Sequence, residues 1–222
     1  MGSAPTEDLL GPLNTTEQKF APPTLWTTGD VDLLRRHPRV AVVGTRRPTT
    51  EGVHRARRLT RELVEHGVCV VSGLAEGIDT VAHTTAMENR GRTIAVIGTP
   101  LDDAFPKKNA ALQARIAREH LVVSEFPDGV PVGRGNFPRR NRTMALIADA
   151  SVIVEASEGS GAVSQGWEAL RLGRPLFLLK SVVESPLAWP KEMLNYGALV
   201  LTRSDDLLAL LPSDGLQHAV AF

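Results

Sequence analysis

The sequence predicts an α/β protein with a doubly wound, mainly parallel sheet and helices on both faces. Three observations predict it. From Val40 onward, short β-rich apolar runs alternate with amphipathic stretches. The strand-like runs are continuous in apolar character and do not alternate. Neither a repeat nor a linker interrupts the series across the 222 residues. Strands alternating with helices make βαβ units, and continuous apolar strands belong to a parallel sheet covered on both faces. At 42% hydrophobic the chain can bury one sizeable core.

In chain order, residues 1–38 read as an arm, punctuated by "GPLN", "APPTLW" and "HPR". Its Leu13, Phe20, Leu25 and Trp26 predict that it packs on the main domain. The core, residues 39–212, opens with the strand "RVAVVG" and the helix "GVHRARRLTRELVEHG", where Val53, Ala56, Leu59 and Leu63 recur at helical spacing. The strand "VCVVSG", the helix "IDTVAHTTAMENRG" and the strand "TIAVIG" follow. Next come the helix "NAALQARIAREH", the strand "LVVSEF" and the helix "NRTMALIADA". The strand "SVIVEA", the helix "GAVSQGWEALRLG" and the strands "PLFLLK" and "ALVLT" complete the series. A last helix, "SDDLLALLP", is expected to be capped by Ser204, and residues 213–222 read as a C-terminal tail.

Charge and composition narrow the function. Acidic and basic residues balance at 25 each, so binding of nucleic acid through bulk charge is excluded and a local patch is required. The single cysteine, Cys69, lies in an apolar run and reads as a small buried hydrophobe. One cysteine excludes an internal disulfide and a zinc ribbon. No metal or cofactor is expected. The opening "MGSAPTEDLL" lacks the basic and apolar regions of a signal peptide. No apolar run approaches the roughly 20 residues of a membrane span. A cytoplasmic chain with no membrane association is expected.

In an open parallel sheet, ligands bind at the carboxyl ends of the strands, and four loops there are unusual. In "VAVVGTRRPTTEG", Gly44 permits close backbone approach, Thr45 offers a hydroxyl, and Arg46 and Arg47 stand beside a helix start. The loop lacks the second and third glycines of G-x-G-x-x-G, so it does not point to a dinucleotide. In "VSGLAEGIDTVAH", Gly73 and Gly77 bracket a turn. Asp79 and His83 lie one helical turn apart there, as a catalytic dyad or as a helix cap with a buried neighbour. In "GRGNFPRRNRTMALIADA", Arg134, Arg139, Arg140 and Arg142 fall within nine residues with Phe137 among them. Guanidinium groups grip phosphates, and an aromatic ring stacks on unpaired bases. In "EASEGSGAVSQGWEAL", Ser157, Gly159, Ser160 and Gly161 open a helix as an anion cradle would. G-x-x-x-x-G-K-[ST] and G-x-S-x-G are both absent, which excludes the P-loop and α/β-hydrolase signatures.

In this order the loops resemble the DNA-processing protein A (DprA/Smf) family. The resemblance rests on "VVGTR" (42–46), "VSGLAEGIDTVAH" (71–83), "TIAVIG" (93–98), "FPKKN" (105–109), "SEF" (124–126), "FPRRNR" (137–142) and "EASEGSG" (155–161). It implies an extended Rossmann-like fold that binds single-stranded DNA through backbone phosphates. It also implies homodimerisation and loading of the recombinase RecA during recombination or DNA uptake. Carried over residue by residue, Gly44, Thr45, Arg46, Ser72, Gly73, Gly77, Asp79, Lys107, Arg139, Asn141, Arg142, Ser160 and Gly161 would form the phosphate-binding surface. No residue would be catalytic.

The chain departs from the family pattern in two places. "SGAVSQGWEAL" puts Gln165 and Gly166 where Thr-Ala is usual, and "PLFLLKS" lacks the usual Pro-Gly ending. Within the 222 residues no sterile-alpha-motif stretch precedes the core and no winged-helix stretch follows it. A minimal, divergent member is therefore expected. The altered loop also opens a second reading. LOG-type nucleoside-monophosphate phosphoribohydrolases carry G-G-x-G-T-x-x-E, and Glu168 stands at the T-x-x-E spacing after Gln165. That resemblance implies a nucleotide N-glycosidase acting through Glu168.

Overall fold

The computed structural model describes residues 1–36 and 38–212; the tail expected at 213–222 lies outside the described residues. The core strands are β3 (Arg39–Gly44), β4 (Cys69–Ser72), β5 (Thr93–Ile97), β6 (Leu121–Ser124), β7 (Ala150–Glu155), β8 (Leu176–Leu179) and β9 (Leu199–Leu201). They are interleaved with helices α3 (Thr50–Glu65), α4 (Ile78–Glu88), α5 (Ala110–Glu119), α6 (Asn136–Ile147) and α7 (Gly161–Arg171). All seven core strands run parallel. Preceding them are β1 (Gly2–Pro5) and β2 (Thr24–Gly29), and the full sheet order is β1-β2-β6-β5-β4-β3-β7-β8-β9. This is the doubly wound, mainly parallel sheet that the pattern predicts, in the extended Rossmann-like form that the resemblance implies.

Successive residues of the apolar strands serve opposite faces. Val40 and Val42 pack with Ala56, Leu59 and Leu63 of α3 and with Ala82 and Ala86 of α4. Ala41 and Val43 pack with Met144 and Ala145 of α6 and with Ala162 and Ala169 of α7. Two buried layers therefore flank one sheet, which is why the strands lack polar alternation. Cys69 is buried in this sheet, and burial pushes its thiol up to about 12. No helix among the described residues is long and apolar enough to cross a membrane.

The arm is more regular than its punctuation suggests. It holds β1, the helices α1 (Thr6–Leu10) and α2 (Thr15–Phe20), and β2. β2 pairs antiparallel with β6, from Trp26 opposite Ser124 to Gly29 opposite Leu121, and so covers the edge of the parallel sheet. Leu25 and Thr27 face inward while their neighbours stay partly open. This alternation is too short to stand out beside the flanking Pro22, Pro23 and Gly29. The arm is tied to the core by Glu17 of α2, which accepts a hydrogen bond from Arg174 at 2.5 Å.

Two further helices, α8 (Lys180–Val183) and α9 (Trp189–Asn195), lie in a stretch without a legible period. The last helix, α10 (Ser204–Leu208), is capped by Arg203, with Ser204 already inside its first turn. α6 begins at Asn136, five residues before the expected start, so "FPRRNR" is helical from its first residue. Pro138 is tolerated there because the first N–H groups of a helix have no intrahelical partner.

Gly29 sits where β2 crosses the end of α5. Its φ is +111°, and a Cβ there would lie 2.0 Å from the His120 carbonyl oxygen. Gly29→Ala is expected to cost about 2–3 kcal/mol through backbone strain and clash. Gly67→Ala has a φ of +73° and open space around its Cβ, and is expected to cost only about 1 kcal/mol. Urea unfolding of the two variants checks the difference; equal losses would show that the β2 crossing does not constrain Gly29.

Candidate functional site

β3 and β7 are neighbours from which the chain winds in opposite directions, since β4, β5 and β6 lie on one side and β8 and β9 on the other. At such a switch point the loops after adjacent strands diverge and leave a crevice. Here the crevice is a cavity of about 660 Å³. Thr45 continues the β3–β7 pairing, its N–H donating to the Glu155 carbonyl at 2.7 Å. Its own carbonyl accepts from Ile78 N–H at the start of α4. Gly77 must approach this loop closely, because a Cβ there would lie 2.3 Å from the Thr45 carbonyl oxygen.

α6 passes over the cavity with one face. Phe137, Arg140, Asn141 and Met144 all line it, and their spacing is that of a single helical stripe. Arg140 is 6% exposed and donates to the Val96 carbonyl at 3.1 Å. Burial pulls its guanidinium below the ordinary arginine range, against the opposing pull of Asp79. Asp79 is itself buried, which raises its carboxyl, while Arg140 and the Ala75 N–H favour its ionised form. Gly73 makes this arrangement possible: a Cβ there would lie 1.5 Å from Nη1 of Arg140.

The far wall is the start of α7. Ser160 is its N-cap, with a buried Oγ that has no partner among the described residues. Asn141 donates to the Gly161 carbonyl at 3.1 Å, which locks α6 to α7 at the cavity. A smaller slot of about 110 Å³ adjoins, lined by Arg46, Gly73, Gly98, Phe105 and Phe137 among others. The Phe105 and Phe137 rings lie 5.3 Å apart, and Phe105 is exposed.

The structure sorts the expected residues into three groups. Gly44, Thr45, Arg46, Asp79, Asn141, Ser160 and Gly161 line the main cavity, and Gly73 lines the slot. Ser72 and Gly77 lie behind the lining: Ser72 Oγ donates to the Val42 carbonyl, and Gly77 caps α4. Lys107, Arg139 and Arg142 point elsewhere. Lys107 bonds Asp103 at 3.0 Å, Arg139 pairs with Glu125 at 2.7 Å, and Arg142 pairs with Glu168 at 2.9 Å.

Arg47, Phe137 and Arg140, singled out in their loops but not carried over to the phosphate-binding surface, line the cavity, and Phe105, not singled out, lines the slot. The signal for Arg140 and Phe137 was present as spacing, and it becomes legible only once α6 is known to start at Asn136. Three arginines at 139, 140 and 142 stand at different angles around a helix, and only Arg140 shares the stripe of Phe137 and Met144. Phe105 reaches the site through a loop, which no period announces.

The Asp79–His83 dyad does not form. Asp79 accepts from the Ala75 N–H at 3.3 Å. The Nδ1 of His83 lies 2.7 Å from Thr93 Oγ1. Asp79 is also not the helix cap, since Gly77 holds that position. Glu168 is buried between Arg142 and Arg171 and is not part of the cavity wall, where Gln165 stands instead. The N-glycosidase reading thus finds no carboxylate from α7 facing the cavity.

The fold and site define a class: a Rossmann-like α/β protein with an arginine-lined cavity at its switch point. Residues 7–212 match the family described as DNA recombination-mediator protein A. The chain is similar to the DNA processing protein DprA of Bacillus subtilis, 32% identical over 202 residues that cover 90% of this chain and 68% of that protein. The X-ray structure of DprA from Streptococcus pneumoniae matches with a TM-score of 0.81 at 35% identity, covering 94% of this chain and 73% of that one. A structure of DNA processing protein A from Helicobacter pylori, described for its single-stranded DNA binding mode, matches at 0.77 and 29% identity, covering 90% and 93%. The chain belongs to the DNA recombination-mediator protein A family.

Burial lowers the pKa of His83 from 6.5 to about 3, so the folded protein keeps the ring neutral where an unfolded chain protonates it. Its contribution to stability is therefore complete above about 6.5 and is lost as pH falls toward 3. Urea midpoints measured from pH 7 to pH 4 are expected to fall less steeply in His83→Gln than in the wild type. Parallel slopes would show that His83 does not carry this acid sensitivity.

Proposed function

We propose that this chain is a single-stranded-DNA-binding protein that seats backbone phosphates in the switch-point cavity and assists DNA recombination or uptake. The observation that carries the reading is the cavity's charge: Arg46, Arg47 and Arg140 line it against the single carboxylate of Asp79. In a chain with no net charge, such a local excess of guanidinium is what a phosphate path needs. The Ser160 hydroxyl, which has no partner among the described residues, and the N-terminus of α7 add donors on the opposite wall.

Single strands are favoured over duplex by the neighbouring rings. Phe105 and Phe137 offer faces on which an unpaired base can stack, beside the arginines that would hold its phosphate. Lys107 and Arg139 are exposed cations on segments next to these rings, and a strand outside the cavity would have to draw them from Asp103 and Glu125. Arg142 serves indirectly, by neutralising Glu168 and holding α6 against α7. Family membership supports a RecA-type recombinase as partner and a homodimer as the working form. The single-stranded DNA bound by the Helicobacter pylori relative supports the ligand class.

Fluorescence anisotropy with labelled single-stranded oligonucleotides tests the reading. Arg46→Ala is expected to weaken binding by about 1–3 kcal/mol. It should also reduce the salt dependence by about 0.7 in log–log slope, because one phosphate fewer is neutralised. Arg203→Ala, whose guanidinium bonds Asp205 at 2.7 Å, should change neither. Binding insensitive to both Arg46 and added salt would remove the phosphate assignment.

A further inference from the structure

The two sides of α3 treat their arginines differently. On one side Arg55 and Arg58 are matched by Glu51 and Glu62 of the same helix, at 3.5 and 3.0 Å. On the other, His54, Arg57 and Arg61 form one stripe at three- and four-residue spacing, along a shallow groove between α3 and α4 of about 560 Å³. Arg57 and Arg61 have no acidic partner among the described residues. They are an i, i+4 pair of like charge, which costs a helix about 0.2–0.5 kcal/mol. A helix that neutralises its other arginines keeps this repulsion only on the face that lines the groove.

The groove floor carries an independent sign of a ligand. Thr85 of α4 is 3% exposed, lines the groove, and has a buried Oγ1 without a partner among the described residues. Beside it, Asn89 donates one amide N–H to the Thr85 carbonyl at 2.8 Å, which leaves its second N–H as a donor and its side-chain oxygen as an acceptor. Glu88, exposed, is the one carboxylate in the lining, against two guanidiniums and an imidazole. The donors in the lining are the two guanidiniums, with the His54 ring and the second amide N–H of Asn89 beside them, and guanidiniums of this kind recognise phosphate oxygens.

We infer that the α3–α4 groove is a second phosphate-binding site for single-stranded DNA, occupied by the strand that continues out of the switch-point cavity. This rests on the reading of that cavity as the primary DNA site. Continuity along the chain supports it: Arg47 lines the cavity, and α3, which starts at Thr50, carries His54, Arg57 and Arg61 away from it. Over its 16 residues α3 spans about 24 Å, enough to guide several nucleotides beyond the cavity.

The test compares oligonucleotides of about six and about twenty nucleotides on the full chain, by anisotropy at low salt. The wild type should bind the longer strand about tenfold tighter. Arg57→Gln combined with Arg61→Gln should abolish that gain, leave binding of the short strand unchanged, and leave Tm equal or higher as the like-charge repulsion is removed. The corresponding double lysine variant, which keeps the charge, should retain most of the gain. Wild-type affinities at both lengths in the glutamine variant would overturn the groove. A gain that depends on Arg57 and Arg61, with affinity at both lengths unchanged in Arg46→Ala, would keep the groove and overturn the cavity reading. No wild-type binding at either length would overturn both. Duplex DNA that captures the groove-dependent gain as well as the single strand would overturn the choice of ligand.

Discussion

The site depends on a buried guanidinium held beside a buried carboxylate. Arg140 and Asp79 are nearly inaccessible, and burial acts on each against its charged form. Leaving either charge alone at that depth would cost several kcal/mol. Much of the local architecture follows from avoiding that cost. Val96 at the end of β5 gives Arg140 an acceptor, Ala75 gives Asp79 a donor, and Gly73 leaves the space in which the two charges meet. Two strand ends, the start of α4 and the first turns of α6 are thereby held in one arrangement. A cavity built this way is organised before any ligand arrives, and its positive charge is not spent by rearrangement on binding.

The sheet order supplies the rest of the frame. Because β3 and β7 are neighbours at the reversal of winding, the loops that follow them part and leave the crevice which α6 roofs. β2, contributed by the arm, covers the far edge at β6 and keeps seven parallel strands from ending in an open row of hydrogen-bonding groups. The arm also packs against α6 and α7 behind the cavity lining. Phe20 lies under the guanidiniums of Arg142 and Arg171, which between them hold Glu168. The carboxylate that suggested hydrolysis is thus part of the scaffold that joins the arm to α6 and α7.

A neutral chain can present a positive face only by spending its acidic residues elsewhere. Arg55, Arg58, Arg115, Arg139 and Arg142 each meet a glutamate, whereas Arg57 and Arg61 have no acidic partner among the described residues. Net charge therefore says little here about nucleic-acid binding. The pairing pattern says more, because it decides which cations keep a field that reaches solvent.

The sequence by itself determined the α/β class, all seven parallel strands and the loops that meet at the cavity. Each of these depends on a signal of short range: a continuous apolar run, a helical period, or a glycine where backbones approach. The close backbone approach at Gly44 was legible for the same reason, whereas Asp79 was read as a helix cap or half of a dyad and instead stands beside Arg140. Only the tertiary structure decided that β2 pairs with β6 nearly a hundred residues away, because pairing at that distance leaves no local period. It also decided that Arg140, and not Arg139 or Arg142, faces the cavity. That choice turns on where α6 begins, and Gly98 packing under Phe137 and the acceptor at Val96 set that start from another strand. Composition placed the arginines together in the chain; rotation about one helix axis, imposed by packing, separated the one that lines the site from those that brace it.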